Sequence, residues 1–315
     1  MRSVATAASI AAAVFGLAAS AAWGAAVTPG WECIPTTQGQ SVVSGGTGSA
    51  PACGSATTAV LAPTYVSSGV GGKPTVEFSA VNVQIVSGSG STSGAVNGEG
   101  NLVIGYAENA NGYSQAGSHD LIVGSNNGWK GYGELVGGTK NQSIGNFAAA
   151  FGQGNKASGT ASLAAGTNNI ASGSQSSAIG GDHNTAKGAQ SSVTGGDFNL
   201  ANDTFASVAG GCENIAGPST SVSATCLTGA EAILGGFENT AAGLESTVSG
   251  GEVGFASGGS ASVAGGQFNG ASGGGASVAG GDENTASGDF SSVLGGFFNS
   301  EPTRCASIPA SPGNC

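Results

Sequence analysis

The stretch SVAGGDENTASGDFSSVLGG, from Ser277 to Gly296, decides the fold. Ser277-Val278 returns fifteen residues later as Ser292-Val293, each followed one residue on by a glycine pair. Between them Asn284 and Ala286 mark a second short alternating segment. S-V-x-G turns one apolar side chain to one face of an extended segment, and N-x-A does the same over a shorter span. Glycine between the two permits corners at positive φ that other residues reach only with strain. A helix is excluded, because each of so many glycines would cost about 1 kcal/mol relative to alanine. Two strands and two corners in about fifteen residues describe one coil of a β-solenoid or β-roll.

Extending the alignment outward on the asparagine gives a column at Asn109, Asn127, Asn141, Asn155, Asn169, Asn184, Asn199, Asn214 and Asn239, then Gly254 in its place, then Asn269, Asn284 and Asn299. The steps are 18, 14, 14, 14, 15, 15, 15, 25, 15, 15, 15 and 15 residues, so thirteen units follow one template. Six residues before the column every unit is apolar: Val103, Leu121, Leu135, Ala149, Leu163, Ala178, Val193, Val208, Ile233, Val248, Val263, Val278 and Val293. Three residues before it stands glycine, from Gly124 to Gly296, with Tyr106 the exception. The expected architecture is all-β, a parallel β-solenoid of about 13 coils of 14–15 residues, spaced about 4.8 Å apart. Valines then stack into a spine. The asparagines either form an amide ladder or occupy left-handed turn positions.

Composition agrees with a repeat fold. Glycine makes up 60 of 315 residues, far above the roughly 7 % of ordinary proteins, while only 9 are proline. The glycines come as separated pairs rather than at every third position, which excludes collagen. Hydrophobic residues at 39 % and charged residues at 8 % argue against an expanded linker. Eighteen acidic against seven basic residues, a net charge of −11, argue against binding nucleic acid or an anionic membrane. Val and Ala bury little area against about 1–2 kcal/mol of backbone entropy per ordered residue, so covering by identical subunits is expected.

The run SVAGGQFNGASGGGASVAGGDENTASGDFSSVLGG, Ser262 to Gly296, resembles the head repeats of YadA-like trimeric autotransporter adhesins, also called Hep/Hag or haemagglutinin-like repeats. The similarity covers about residues 100–300, and the segment GNLVIGY at residues 100–106 resembles the lead into such repeats. The resemblance implies a left-handed parallel β-roll, a homotrimer, and adhesion at a bacterial surface to a host or environmental ligand, protein or glycan. The family's coiled-coil stalk and β-barrel anchor are not matched by the tail from Ser300, so a secreted or surface-associated protein is expected.

Residues 1–26 read as a signal peptide: Arg2 as n-region, an apolar run from Val4 to Leu17, and Gly24 and Ala26 before a cleavage site. The run is too short for a membrane span, and no transmembrane segment is expected in the mature chain. Export permits disulfides, and six cysteines fall in sequential pairs: Cys33 with Cys53, Cys212 with Cys226, Cys305 with Cys315. Residues 27–72 form a Ser/Gly/Pro-rich lead, 73–100 capping strands, 101–299 the roll with an insertion near 212–226, and 300–315 a C-terminal cap.

Chemistry-bearing residues are sparse. Asp182, Asp197, Glu213, Glu238, Glu252, Asp282 and Glu283 follow the glycine pairs and form one acidic corner stripe, either a solvated face or a weak cation site. His119 and His183 lack a neighbouring nucleophile and carboxylate constellation. Phe198, Phe268 and Phe298 precede the asparagines and suit either a subunit interface or contact with a surface. No catalytic, cofactor or metal residues are assigned. The expected function is a non-enzymatic structural or adhesive binding module; the alternative is a carbohydrate-binding or polysaccharide-active β-helix protein.

Overall fold

The structure, a computed structural model, describes residues 30–35, 43–47, 57–61, 64–79, 81–218 and 230–309. The chain divides into two units, residues 1–84 and 85–315. In the first, β1 (Gly30–Pro35) pairs antiparallel with both β2 (Val43–Thr47) and β3 (Thr57–Leu61), and β4 (Thr64–Val66) pairs antiparallel with β5 (Thr75–Glu77). The expected signal peptide, residues 1–26, lies outside the described residues.

The second unit is the β-solenoid, with two parallel sheets climbing side by side. One has fourteen strands, from Leu102–Ile104 to Ser307–Ile308. The other has twelve, from Gly128–Trp129 to Ser300–Glu301. Each strand pairs with its counterpart one coil away in register: Ser277 with Ser292, Val278 with Val293, and on the other sheet Thr285 with Ser300. Inside, the first sheet contributes Val193, Val208, Ile233, Val248, Val263, Val278 and Val293, and the second contributes alanines such as Ala186, Ala201, Ala241 and Ala286. Sixteen of the twenty-three residues in this core are alanine, so the interior is one small side chain deep on each side.

The asparagine column is a latch between coils. Asn141 receives its place from Asn127, whose Oδ1 accepts the Asn141 backbone N–H at 2.9 Å. The Asn141 Nδ2 then donates to the carbonyls of Gly137 in its own coil (2.9 Å) and Gly152 in the next (2.8 Å). The same pattern recurs at Asn184, Asn199, Asn214 and Asn284. The side chains are buried and every polar atom is used, which is what a buried amide requires. The left-handed turn position is not the asparagine but the residue before it: His183, Phe198, Glu213, Glu238, Phe268, Glu283 and Phe298 all have φ between 51° and 56°.

Three expectations are corrected. In the fourteen-residue coils the buried column is Ile122, Val136, Ala150 and Ala164, while Leu121, Leu135, Ala149 and Leu163 face outward. The missing residue lies between strand and asparagine, so counting back from the asparagine slips by one, and a one-residue slip in a strand exchanges its faces. Asn109 is exposed and caps its own loop through Tyr113 (both bonds 2.7 Å), so the ladder starts at Asn127. Among the described residues of 73–100 the one strand is β5, and Val81, Val83, Ile85 and Val86 are exposed. The first coil is instead capped by polar bonds: the Asn97 N–H to Ser118 Oγ, the Asn101 Nδ2 to the Gly117 carbonyl, and the Ser87 N–H to His119 Nε2. Residues 300–308, the described part of the expected C-terminal cap, form one more turn of the solenoid, paired in parallel with the coil below.

Candidate functional site

The corner between the glycine pair and the asparagine presents two side chains per coil. The first comes from a column in single-residue parallel bridges: Asp182, Asp197, Cys212, Phe237, Glu252, Gln267, Asp282 and Phe297. The second is the left-handed residue, from His183 to Phe298. A left-handed residue directs its side chain away from the coil, and adjacent coils repeat it about 4.8 Å further on. All seven acidic residues of the expected stripe stand on this one corner. Among the described residues no Lys or Arg pairs with them; the ion-pair contact there is His183 Nδ1 to Asp182 Oδ1 at 3.0 Å. Local bonds relieve part of the charge, such as Gln267 Nε2 to Glu252 Oε2 at 2.6 Å.

Asp182, His183 and Asp197 each offer a ligand atom within 4.8 Å of the others, the one such trio among the described residues. Their exposure leaves solvation as a sufficient account. Cys212 sits between Asp197 and Phe237 in the bridge column and is a free thiol in the structure; its expected partner Cys226 lies outside the described residues. Burial, then the carboxylates of Glu213, Asp197 and Glu238, raise its pKa. Cys305 is not free, and Cys315 lies outside the described residues. Cys53 and Cys226 lie outside them too, so the sequential pairing stays a proposal. The insertion falls at the opposite corner from Cys212, between the strands Ile215–Ala216 and Ala232–Ile233, and residues 219–229 lie outside the described residues.

Aromatic residues share the corner. His183 and Phe198, in adjacent coils, stack with ring centroids 4.7 Å apart and planes 8° from parallel. Phe268 and Phe298, two coils apart with Glu283 between them, line an open groove of about 490 Å³ with Thr285, Asn299 and Ser300.

One group escaped sequence reading. Asp120, Glu134 and Glu231 are buried immediately before the first-sheet strands, where other coils carry Ser162, Ser191, Ala261 or Ala276. The Asp120 Oδ1 accepts the Glu134 N–H at 2.8 Å, and Glu134 Oε2 accepts the Lys130 N–H at 2.9 Å. Asp120 Oδ2, Glu134 Oε1 and the nearby Trp129 Nε1 have no partner. Burial raises the Asp120 pKa to about 6; burial and the Asp120 charge raise that of Glu134 to about 7. Burial also raises Glu231 to about 7. Acids in a column that otherwise reads Ser or Ala were the available signal. His119, in the first coil, is a capping residue remote in the chain from His183.

Compared with known proteins, the chain matches no family model and no curated protein significantly.

Proposed function

We propose that this is an exported, non-enzymatic β-roll that serves as a structural or adhesive binding module, assembled from identical chains as a homotrimer. The observation that carries the reading is the outer face of the fourteen-strand sheet. From Leu102 to Ser307 its two outward positions on either side of the buried column hold Leu, Val, Phe, Ile, Ala, Gly, Ser and Thr, and no charged residue; charge begins past them, at the corner, with Asp182. Leu135, Phe151, Ile179, Leu234 and Leu294 are between 39 % and 67 % exposed along it. A sheet face kept free of charge over the whole length of a thin-cored rod is suited to covering by another copy. The likeness of the SVxGG and NxASG elements to adhesin head repeats supports the same assembly and a surface ligand.

Light scattering tests the assembly. The expected mass is three chains, falling to one when Leu135→Lys and Phe151→Lys are combined on that face. A wild-type mass of one chain across concentrations overturns it. Retention of the trimer on immobilised host or environmental glycans and proteins tests the adhesive part, and turnover of a polysaccharide would favour the enzymatic alternative instead.

A further inference from the structure

We propose that the groove at Phe268, Glu283 and Phe298 is a binding site for an alkylammonium group. The three residues occupy the same left-handed position in successive coils, so the two phenylalanines stand about 9.6 Å apart, twice the strand spacing. His183 and Phe198 show how rings lie in this column: face to face along the rod, with centroids 4.7 Å apart. Glu283 occupies the level where a third ring would stack. A flat ring, which needs about 3.5 Å on each side, would touch one phenylalanine only. A rounded cation midway lies about 4.8 Å from both, inside the roughly 6 Å reach of a cation–π contact.

The charge of the groove selects the same ligand. The Glu283 carboxylate has no hydrogen-bond or ion-pair partner among the described residues, and Asp282 Oδ1 beside it is also unpartnered. Phe268 is 51 % and Phe298 64 % exposed, so their faces are open to a ligand. Phe298 is braced edge-on by Phe297, with centroids 4.5 Å apart. Thr285 and Ser300 line the groove with small hydroxyl side chains that admit the methyl or methylene groups of the ligand. The site deepens the reading of the roll as a binding module by naming a ligand class, and it rests on that reading only for its setting.

Saturation-transfer NMR on the full chain tests it, with choline, n-butylammonium and the neutral choline isostere 3,3-dimethylbutan-1-ol titrated separately. The expected result is millimolar binding of one or both cations and weaker binding of the alcohol. Preference for choline identifies a quaternary headgroup as the source, and preference for n-butylammonium a lysine side chain. Phe268→Leu and Phe298→Leu, which keep apolar volume without a π face, should each weaken cation binding roughly threefold, and together roughly tenfold. Glu283→Gln should weaken it while leaving the alcohol unchanged, and Phe198→Leu, elsewhere in the column, should change nothing. Circular dichroism confirms that each variant keeps its β structure. Equal binding of alcohol and cations, or unaltered binding by the double leucine variant, overturns the site. The light-scattering mass is read independently, so its failure and the failure of this site are distinguishable.

Discussion

The coils before and after Ile179 are built from the same template and differ by one residue. Before it, coils of fourteen residues carry first-sheet strands five residues long, such as Leu135–Thr139 and Leu163–Thr167. After it, coils of fifteen carry two-residue strands, such as Ser192–Val193, followed by an isolated bridge at Asp197. The extra residue is the first glycine of each pair. It enters at Gly180, where the register shifts between Ala165 and Thr167. Both versions keep the buried column, the second glycine and the asparagine latch. The stack therefore depends on what repeats at the corner, and the length of the strand between corners is adjustable.

The largest expected effect tests that claim directly. Gly196 lies at φ 83° and a Cβ there would collide with the Gly211 carbonyl; Gly152, in a fourteen-residue coil, lies at φ 105° with its Cβ against the Gly166 carbonyl. Steric overlap and backbone strain together predict a loss of about 3 kcal/mol or more for Gly196→Ala. Gly152→Ala should cost the same in chemical denaturation. A loss confined to one of the two would mean that the regions do not share a corner.

Charge separates the regions next. The early coils bury a neighbouring pair, Asp120 and Glu134, at a position where the later coils have one isolated acid, Glu231, and elsewhere small residues such as Ala261 and Ala276. With folded pKa values near 6 and 7 against ordinary values of 3.8 and 4.5, the folded state holds protons that the unfolded chain has released. Stability of the early coils is thus greatest near pH 4 and falls as the pH rises to about 7, by a few kcal/mol at most for the coupled pair. Hydrogen exchange, corrected for its intrinsic pH dependence, should show lower protection of residues 117–136 at pH 8 than at pH 5. Residues 261–278 should show no such change, and Glu134→Gln should reduce the slope. Equal slopes in the two segments would sink the assignment.

A smaller gain is expected where the latch is broken. Gly254 replaces asparagine; its N–H still meets Asn239 Oδ1 at 2.8 Å, but no side-chain amide passes the latch on to Asn269. Gly254→Asn should restore it and stabilise the later coils by about 1 kcal/mol, raising Tm by about 2–4 °C. An unchanged or lower Tm would show that the column acts by backbone conformation rather than by its hydrogen bonds.

The coil, its period and the asparagine column were legible because each recurs, and repetition averages away local ambiguity. Which residue faces inward at Leu135 or Val136 was not, since a single missing glycine reverses the count and both residues are apolar. The acidic corner was legible from position alone. The buried Asp120 and Glu134 were hidden because a carboxylate is ordinarily read as a surface group, and their burial arises from the neighbouring coil closing over them. The pairing of Phe268 with Phe298 across Glu283 needed the stacking distance and the ring orientation, neither of which a sequence carries.

The smallest effect bears on why the later coils carry glycine twice. Gly195, unlike Gly196, has no atom within 4 Å of where a Cβ would stand and does not adopt a left-handed φ. The same open space surrounds Gly210, Gly235, Gly250 and Gly265. Within one chain, nothing requires glycine there, and Gly195→Ala should stabilise the coil by about 0.4–1 kcal/mol by restricting the unfolded chain. Thermal unfolding of the dissociated Leu135→Lys, Phe151→Lys background measures this term alone. If alanine stabilises that background but weakens the wild-type assembly, the space beside the first glycine is filled by a neighbouring chain. The fifteenth residue is then an adaptation of the surface rather than of the coil.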